Sequence, residues 1–194
     1  MVPPGELMWR MTATWFDFSS RSSASTRCWS LRINPSMLTR AIEYDLLPTT
    51  QRHGMGVLAY SPLAGGWLSG RWRKDTGQQS SSRAGRLPER FDLSRPANQR
   101  KLDAVEELAQ LAEEAGITLI QLAIAFVLNH PAITAAIIGP RTMEQLESQL
   151  AAADVVLDEA VLDRIDQIVP PGTTINPADN SWANPALQPV ARRR

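Results

Sequence analysis

Two lysines, two histidines, two tyrosines and one cysteine are all that this chain holds of several side chains that often carry covalent or metal chemistry. The lone Cys28 excludes an internal disulfide and a cysteine-rich metal site, and it makes a reducing, cytoplasmic setting the expectation. With His53 and His130 the only histidines, a multi-histidine metal site is not expected either. No apolar run is long enough to cross a bilayer. The longest lies within residues 119–128, against the about 20 residues a spanning helix needs. Charge of one sign is also lacking: Lys+Arg 20 balances Asp+Glu 20, so no global field draws the chain to nucleic acid or to an anionic membrane.

What is present is ordered unevenly. A chain of 194 residues supports one domain with a real core, but it is short for a (β/α)8 barrel of about 250 residues. Residues 1–32 are atypical. They combine Trp9, Trp15 and Trp29 with the patch SSRSSASTR and only Glu6 and Asp17 as acids. They show neither a helical nor a strand period, and no continuous apolar segment of a secretory signal. They are expected to be a disordered leader, one origin being a frameshift or a displaced start. Residues 33–194 form the second unit.

Within that unit the spacing predicts a helix over 40–52 with Ile42, Leu46 and Leu47 on one face, then a strand over 57–60. Residues 71–97, rich in Gly, Ser, Pro and Arg, read as a long surface loop on which Lys74 is solvated. A helix over 98–115 presents Leu102, Val105, Leu108, Leu111 and Ala115, with Lys101 expected on its solvent side. Thr118 and Gln121 form a capping box for an apolar, buried helix through Leu128. A second strand covers 135–138. Thr142 with Gln145 caps a helix to about Ala152, and Asp158 caps a last one carrying Val161, Leu162, Ile165 and Ile168 inward. The alternation implies parallel α/β packing. Two strands alone leave both edges unpaired, which makes self-association through exposed sheet edges an open reading.

Two segments carry chemistry. IIGPRTMEQLESQL, residues 137–150, is a strand, a tight turn and a helix N-terminus, an arrangement that offers amides and a positive dipole end to an anion. Arg141 adds a two-pronged cation and Thr142 a hydroxyl. The same residues also fit an ordinary capped helix with a solvated arginine. GMGVLAYSPLAGGWLSG, residues 54–70, is a strand ending at Tyr60 followed by an open glycine-rich backbone that charged oxygens can approach. Here Tyr60 as a core residue and the glycines as simple turns are the other reading.

Together, and in this order, the two segments resemble the cofactor-binding half of the aldo-keto reductase family. The likeness extends over roughly residues 33–190, through RAIEYDLLP, LIQLAIAFVLNHP and IVPPGTTINPADNSW. It is strongest to bacterial members of the subgroup that includes potassium-channel β subunits. The resemblance implies a helix-rich α/β fold, the C-terminal half of a (β/α)8 TIM barrel with few parallel strands. It implies NADP(H) as cofactor and an aldehyde or ketone as substrate. By the same resemblance Tyr60 stacks on the nicotinamide, and Ser61, Leu63, Gly66, Ser69 and Arg71 surround the pyrophosphate. Arg83 closes over the cofactor, Arg141 meets the 2′-phosphate, and Gln145 lies along the adenosine. Arg32 falls near the position of a carboxamide-binding glutamine. Ser148 stands where an acid is common and Gln149 where asparagine is common, both at adenine-touching positions, which bears on the choice of NADP over NAD.

The family's proton donor is a tyrosine supported by aspartate, lysine and histidine. Here no tyrosine precedes Tyr44, no lysine Lys74 and no histidine His53. Tyr44 is expected on an outer helix, and His130, before Pro131, as a packed or capping residue. No catalytic residue is assigned. The expectation is a truncated reductase that is inactive alone. The alternatives are a non-catalytic NADP-binding or protein-interaction module, and a fragment that does not fold stably. The binding reading requires Tyr60 and Arg141 to share one cleft.

Overall fold

Why the chain forms a sheet is clearest at Gly56–Tyr60, where buried Val57 and Ala59 alternate with half-buried Leu58 and Tyr60. The computed structural model describes residues 30–77, 79, 82–180 and 189–191. In it this segment is the central strand, β2. It is flanked by β1 (Ser30–Ile33) and β3 (Ala135–Ile137) in a three-stranded sheet ordered β1-β2-β3, parallel throughout. Leu31 stands beside Val57, Ile33 beside Ala59, Leu58 beside Ala135 and Tyr60 beside Ile137. Two strands were expected. β1 is the addition: four residues are too few to show a period, and Ser30–Arg32 fall inside the stretch read as leader. The expectation for residues 1–29, and for Ser181 and Trp182 of the closing segment, lies outside the described residues.

The helix expected over 40–52 is two pieces. A 3-10 turn at Ala41–Glu43 precedes α1 (Leu46–Arg52), and Pro48 sits in the first turn of α1, where no intrahelical donor is required. Ile42, Leu46 and Leu47 pack as the spacing predicts, against Ile33, Val57 and Ala132. The loop expected over 71–97 contains α2 (Ser82–Arg86) and α3 (Pro88–Phe91), and it buries Trp72 and Phe91. Beyond it lie α4 (Pro96–Glu114), α5 (Leu119–Leu128), α6 (Met143–Leu150) and α7 (Glu159–Ile168). Pro96 opens α4 with its ring preset to helical φ. The Thr118–Gln121 capping box of α5 forms in full, and Asp158 accepts from the Val161 amide at 2.8 Å. α6 ends at Leu150 and continues as a 3-10 turn, Ala151–Asp154. Among the described residues no single helix is long and apolar enough to cross a membrane.

The main core joins Trp67, Leu68, Trp72 and Phe91 to Val105, Leu108 and Leu111 of α4, Leu122 of α5 and Ile165 of α7. Trp67 and Trp72 stack at 4.2 Å between ring centroids, and Phe91 lies 5.9 Å from Trp67. Into this cluster α4 inserts Lys101, fully buried rather than solvated. Its ammonium lies 4.3 Å above the Trp67 ring and donates to Asp179 Oδ2 at 2.8 Å and to the Arg90 carbonyl at 2.9 Å. Burying an ammonium costs several kcal/mol unless it is paired. The carboxylate, the carbonyl and the ring face supply that pairing.

Burial pushes the Lys101 ammonium from its ordinary 10.5 down to about 8, with Asp179 partly opposing and Arg90 adding to the depression. The folded chain therefore releases this proton at lower pH than the unfolded chain. Between those values the unfolded state binds more protons, so stability rises with pH. Denaturant titrations of the parent and of Lys101→Met should show their stability difference flat below pH 8, then moving in favour of the parent up to about 10.5. A difference that stays level throughout this window contradicts the buried titration.

Candidate nucleotide cleft

At the carboxyl end of β2 the chain turns on itself. Ser61 (φ 58) and Ala64 (φ 50) are left-handed without being glycine, and Gly65 (φ 70) and Gly66 (φ 106) follow. Such backbone costs of order 1–3 kcal/mol per non-glycine residue and persists where surroundings impose it. Ser61 Oγ accepts from the Gly65 amide at 3.1 Å, and Ser69 Oγ donates to the Gly66 carbonyl at 2.6 Å. The space beside Gly66, where a side chain would stand, is open. In parallel α/β structures, ligands gather at this end of the strands.

The turn forms one wall of a cleft of about 750 Å³. Tyr60 and Arg141 both line it, as the binding reading requires, together with Ser61, Leu63, Gly66, Ser69, Arg71, Arg83, Gln145 and Gln149. Ile137, Ile138 and Gly139, at the end of the neighbouring strand β3, line it as well and lead into α6. Arg141, exposed, is held by its backbone: its amide donates to Gln145 Oε1 at 2.8 Å, while Thr142 Oγ1 accepts from the Gln145 amide at 3.2 Å. The expected Thr142–Gln145 box is therefore shifted by one residue on its return bond. Thr142 is the one expected site residue that does not line the cleft, its hydroxyl serving as the helix cap. Ser148 also stays out, its hydroxyl bonding back to the Gln145 carbonyl at 3.1 Å. Arg32, exposed on β1, stands beside Leu58 and outside the cleft lining.

Electrostatics give the cleft its character. Arg71, Arg83, Arg86 and Arg141 line it, with no carboxylate among the lining residues, although the chain as a whole is neutral. Arg83 reaches across from α2 and donates to the Gly65 carbonyl at 3.0 Å, bringing the lid down onto the turn. Arg73, next to Arg71 and Trp72, is pinned to α4 through Glu106 and Glu113. Those two carboxylates raise its pKa further above the usual arginine range. The first-turn amides of α6 have no intrahelical acceptor. A concave site with clustered cations and an aromatic ring suits a phosphorylated, flat-ringed ligand.

Trp72, Gln79, Arg86, Phe91 and Ile120 also line the cleft and were not singled out from sequence. Two large aromatic residues in an otherwise polar stretch were the available signal for Trp72 and Phe91. The remaining candidates lie elsewhere. Tyr44 is 82% exposed at the end of the 3-10 turn. Lys74 pairs with Asp103 at the surface at 2.7 Å. His130 accepts from the Ala132 amide through Nδ1 at 3.1 Å, and burial lowers its pKa. Among the described residues no group of three His, Cys, Asp or Glu side chains converges as a metal site would require.

Comparison with known proteins gives the family. The model of the Aldo/keto reductase family matches residues 14–170. An uncharacterized oxidoreductase, YrpG of Bacillus subtilis, is 34% identical over 76% of this chain and 42% of its own length. A probable voltage-gated potassium channel subunit beta of Arabidopsis thaliana is 32% identical over 66% of this chain and 39% of its own. The crystal structure of an aldo-keto reductase from Klebsiella pneumoniae in complex with NADPH superposes with a TM-score of 0.52 at 30% identity, covering 83% of this chain and 44% of that one. The chain thus spans about two fifths of the length of the curated relatives it matches. Its helix-rich three-stranded parallel sheet is part of a (β/α)8 barrel, and the chain belongs to the aldo/keto reductase family.

Proposed function

We propose that this chain holds NADP(H) for an oxidoreductase of aldehydes or ketones, and that residues 1–194 by themselves bind the cofactor without turning it over. The observation that carries the binding half is the cleft in which four arginines and no carboxylate face Tyr60 and the left-handed glycine turn. In this reading the Tyr60 ring lies under the nicotinamide. Ser61, Leu63, Gly66, Ser69 and Arg71 border the pyrophosphate, and Arg83 covers it. Arg141 takes the 2′-phosphate, and Gln145 and Gln149 flank the adenosine. Thr142 contributes through the helix cap. The Klebsiella pneumoniae relative solved with NADPH supports the same choice of cofactor. When bound, the nicotinamide supplies a hydride to the carbonyl carbon of an aldehyde or ketone.

The developing alkoxide needs a proton from a positioned acid. Of the two tyrosines in the chain, Tyr60 is given to the nicotinamide, and Tyr44 is 82% exposed outside the cleft. Lys101 is tied to Asp179, Lys74 to Asp103, and neither histidine lines the cleft. Holding a cofactor without stabilising the transition state produces affinity and not rate. In this reading reduction requires a donor from outside the described residues.

Two outcomes are expected. NADPH should quench tryptophan emission saturably, because Trp72 lines the cleft and stacks on Trp67. Arg141→Ala should weaken NADPH by about tenfold or more, the worth of one hydrogen bond to a charged group, while leaving NADH nearly unchanged. Equal losses for both cofactors would remove Arg141 from the 2′-phosphate. Absence of any saturable quench would remove the cleft as the cofactor site. In the second experiment, the purified chain incubated with NADPH and a generic aldehyde should show no loss of nicotinamide absorbance above the enzyme-free rate. Turnover refutes the non-catalytic half of the reading.

A further inference from the structure

The lid of the cleft is built from pieces too short to stand alone. α2 and α3 have five and four residues, yet between them they give the cleft Arg83, Arg86 and Phe91. Isolated helices of this length are not stable in water, so their orientation is imposed from outside. The two are joined by backbone bonds, Leu87 amide to Arg83 carbonyl and Arg90 amide to Leu87 carbonyl, both 3.0 Å. What grips the joined unit is Arg90. Its carbonyl accepts from Trp67 Nε1 at 3.2 Å and from Lys101 Nζ at 2.9 Å. Its guanidinium donates to Asp179 Oδ1 at 3.0 Å. Asp179 also takes Lys101, so one buried carboxylate lies between two cations. Nearby, Asn176 Nδ2 donates to the Glu89 carbonyl at 3.0 Å and to Asn98 Oδ1 at 2.7 Å.

We propose that Asp179, which does not line the cleft, is a positioning residue for the cofactor: through Arg90 it fixes α2 and α3, and so fixes Arg83 and Phe91 over Gly65. This rests on the NADP(H) reading of the cleft. The physical chain is short. Phe91 stacks on Trp67, and its ring edge lies 3.4 Å from where a Cβ on Gly65 would stand. Arg83 bonds the Gly65 carbonyl. Releasing Arg90 removes the one charged tether that α3 has to the 3-10 turn Pro177–Asp179, and the lid loses the constraint that holds a cation over the phosphate path.

The test measures NADP+ dissociation constants of the full chain by tryptophan quenching, at a temperature where circular dichroism shows each variant folded. Asp179→Asn keeps the shape and the acceptor but leaves Arg90 and Lys101 short of one negative charge. Arg90→Lys keeps the backbone carbonyl and the charge but removes Nε. Each should weaken NADP+ by roughly fivefold, the scale of coupling carried through a positioning network. A merely structural role predicts the same loss in any background. Positioning through the lid predicts that the loss falls below about twofold once Arg83→Ala is present, and stays near fivefold in Arg141→Ala, which precedes α6 and is no part of the lid. Additivity with Arg83→Ala overturns the proposal, as does unchanged affinity in the folded variants. So does failure of both variants to fold, which assigns the pair to the whole structure. If the parent chain does not bind NADP+, the cofactor reading itself falls. If the parent binds and Arg141→Ala weakens it while Asp179→Asn does not, the positioning role alone falls.

Discussion

A lysine ammonium buried beneath aromatic rings has to be neutralised where it stands, and much of this architecture follows from how that is done. Lys101 leaves α4 inside the apolar stripe, over Trp67. Its counter-charge comes from Asp179, 78 residues further along the chain. Because Asp179 has a second oxygen, Arg90 is recruited as well. One carboxylate thus ties the 3-10 turn at Pro177–Asp179, the long helix and the lid to a single point. A pure hydrocarbon contact there would have given burial without direction. The charge-assisted bonds give it geometry, since two cations approach one planar group from fixed sides.

That fixed point underlies the electrostatic asymmetry of the molecule. Most of the arginines near the core are neutralised: Arg40 by Glu43 and Asp166, Arg73 by Glu106 and Glu113, Arg90 by Asp179. Arg71, Arg83, Arg86 and Arg141 line the cleft, where no carboxylate stands among the described lining residues. In a chain of formal net charge +0 this is a matter of placement, not of surplus. Anion recognition then comes from where the acids are not. The left-handed turn after Tyr60 bonds its own amides internally and leaves an open flank beside Gly66 where a side chain would otherwise stand.

Much of this was legible in the amino-acid order, and the exceptions have physical causes. The cleft walls were readable because glycines, a strand-terminal tyrosine and a capped helix leave local signatures. The capping residues Thr118 and Asp158 act where their spacing put them. β1 was missed because Ser30–Ile33 is stabilised by pairing with β2, a non-local interaction with no period to detect in four residues. The lid was missed because α2 and α3 owe their form to Arg90 and Phe91 packing against distant partners. Lys101 is the instructive error. Lysine is ordinarily solvated, and composition argued for the surface. Its position argued otherwise: Asn98, Lys101, Val105 and Leu108 recur at three- and four-residue steps, and all four are buried. A polar residue in the register of an apolar stripe marks a buried network, and the partner, Asp179, lay in a Pro- and Asn-rich segment with no periodicity of its own.

The sheet itself separates holding from reacting. Strand alternation puts Leu31, Ile33, Val57 and Ala59 on the helix-packed face. Arg32, Leu58, Tyr60 and Ile137 fall on the other, where all are half-buried or exposed. Parallel sheets ordinarily have both faces covered. Here Leu58 and Tyr60 are half-buried on the face that also carries Arg32 and Ile137. In the proposed reading the phosphate contacts sit at the strand ends and depend on loops and helix starts that this sequence encodes. On the Tyr60 face of the strands the described residues are Ser30, Arg32, Gly56, Tyr60 and apolar side chains. In the proposed reading affinity and chemistry draw on different groups, and the first can persist where the second is not supplied.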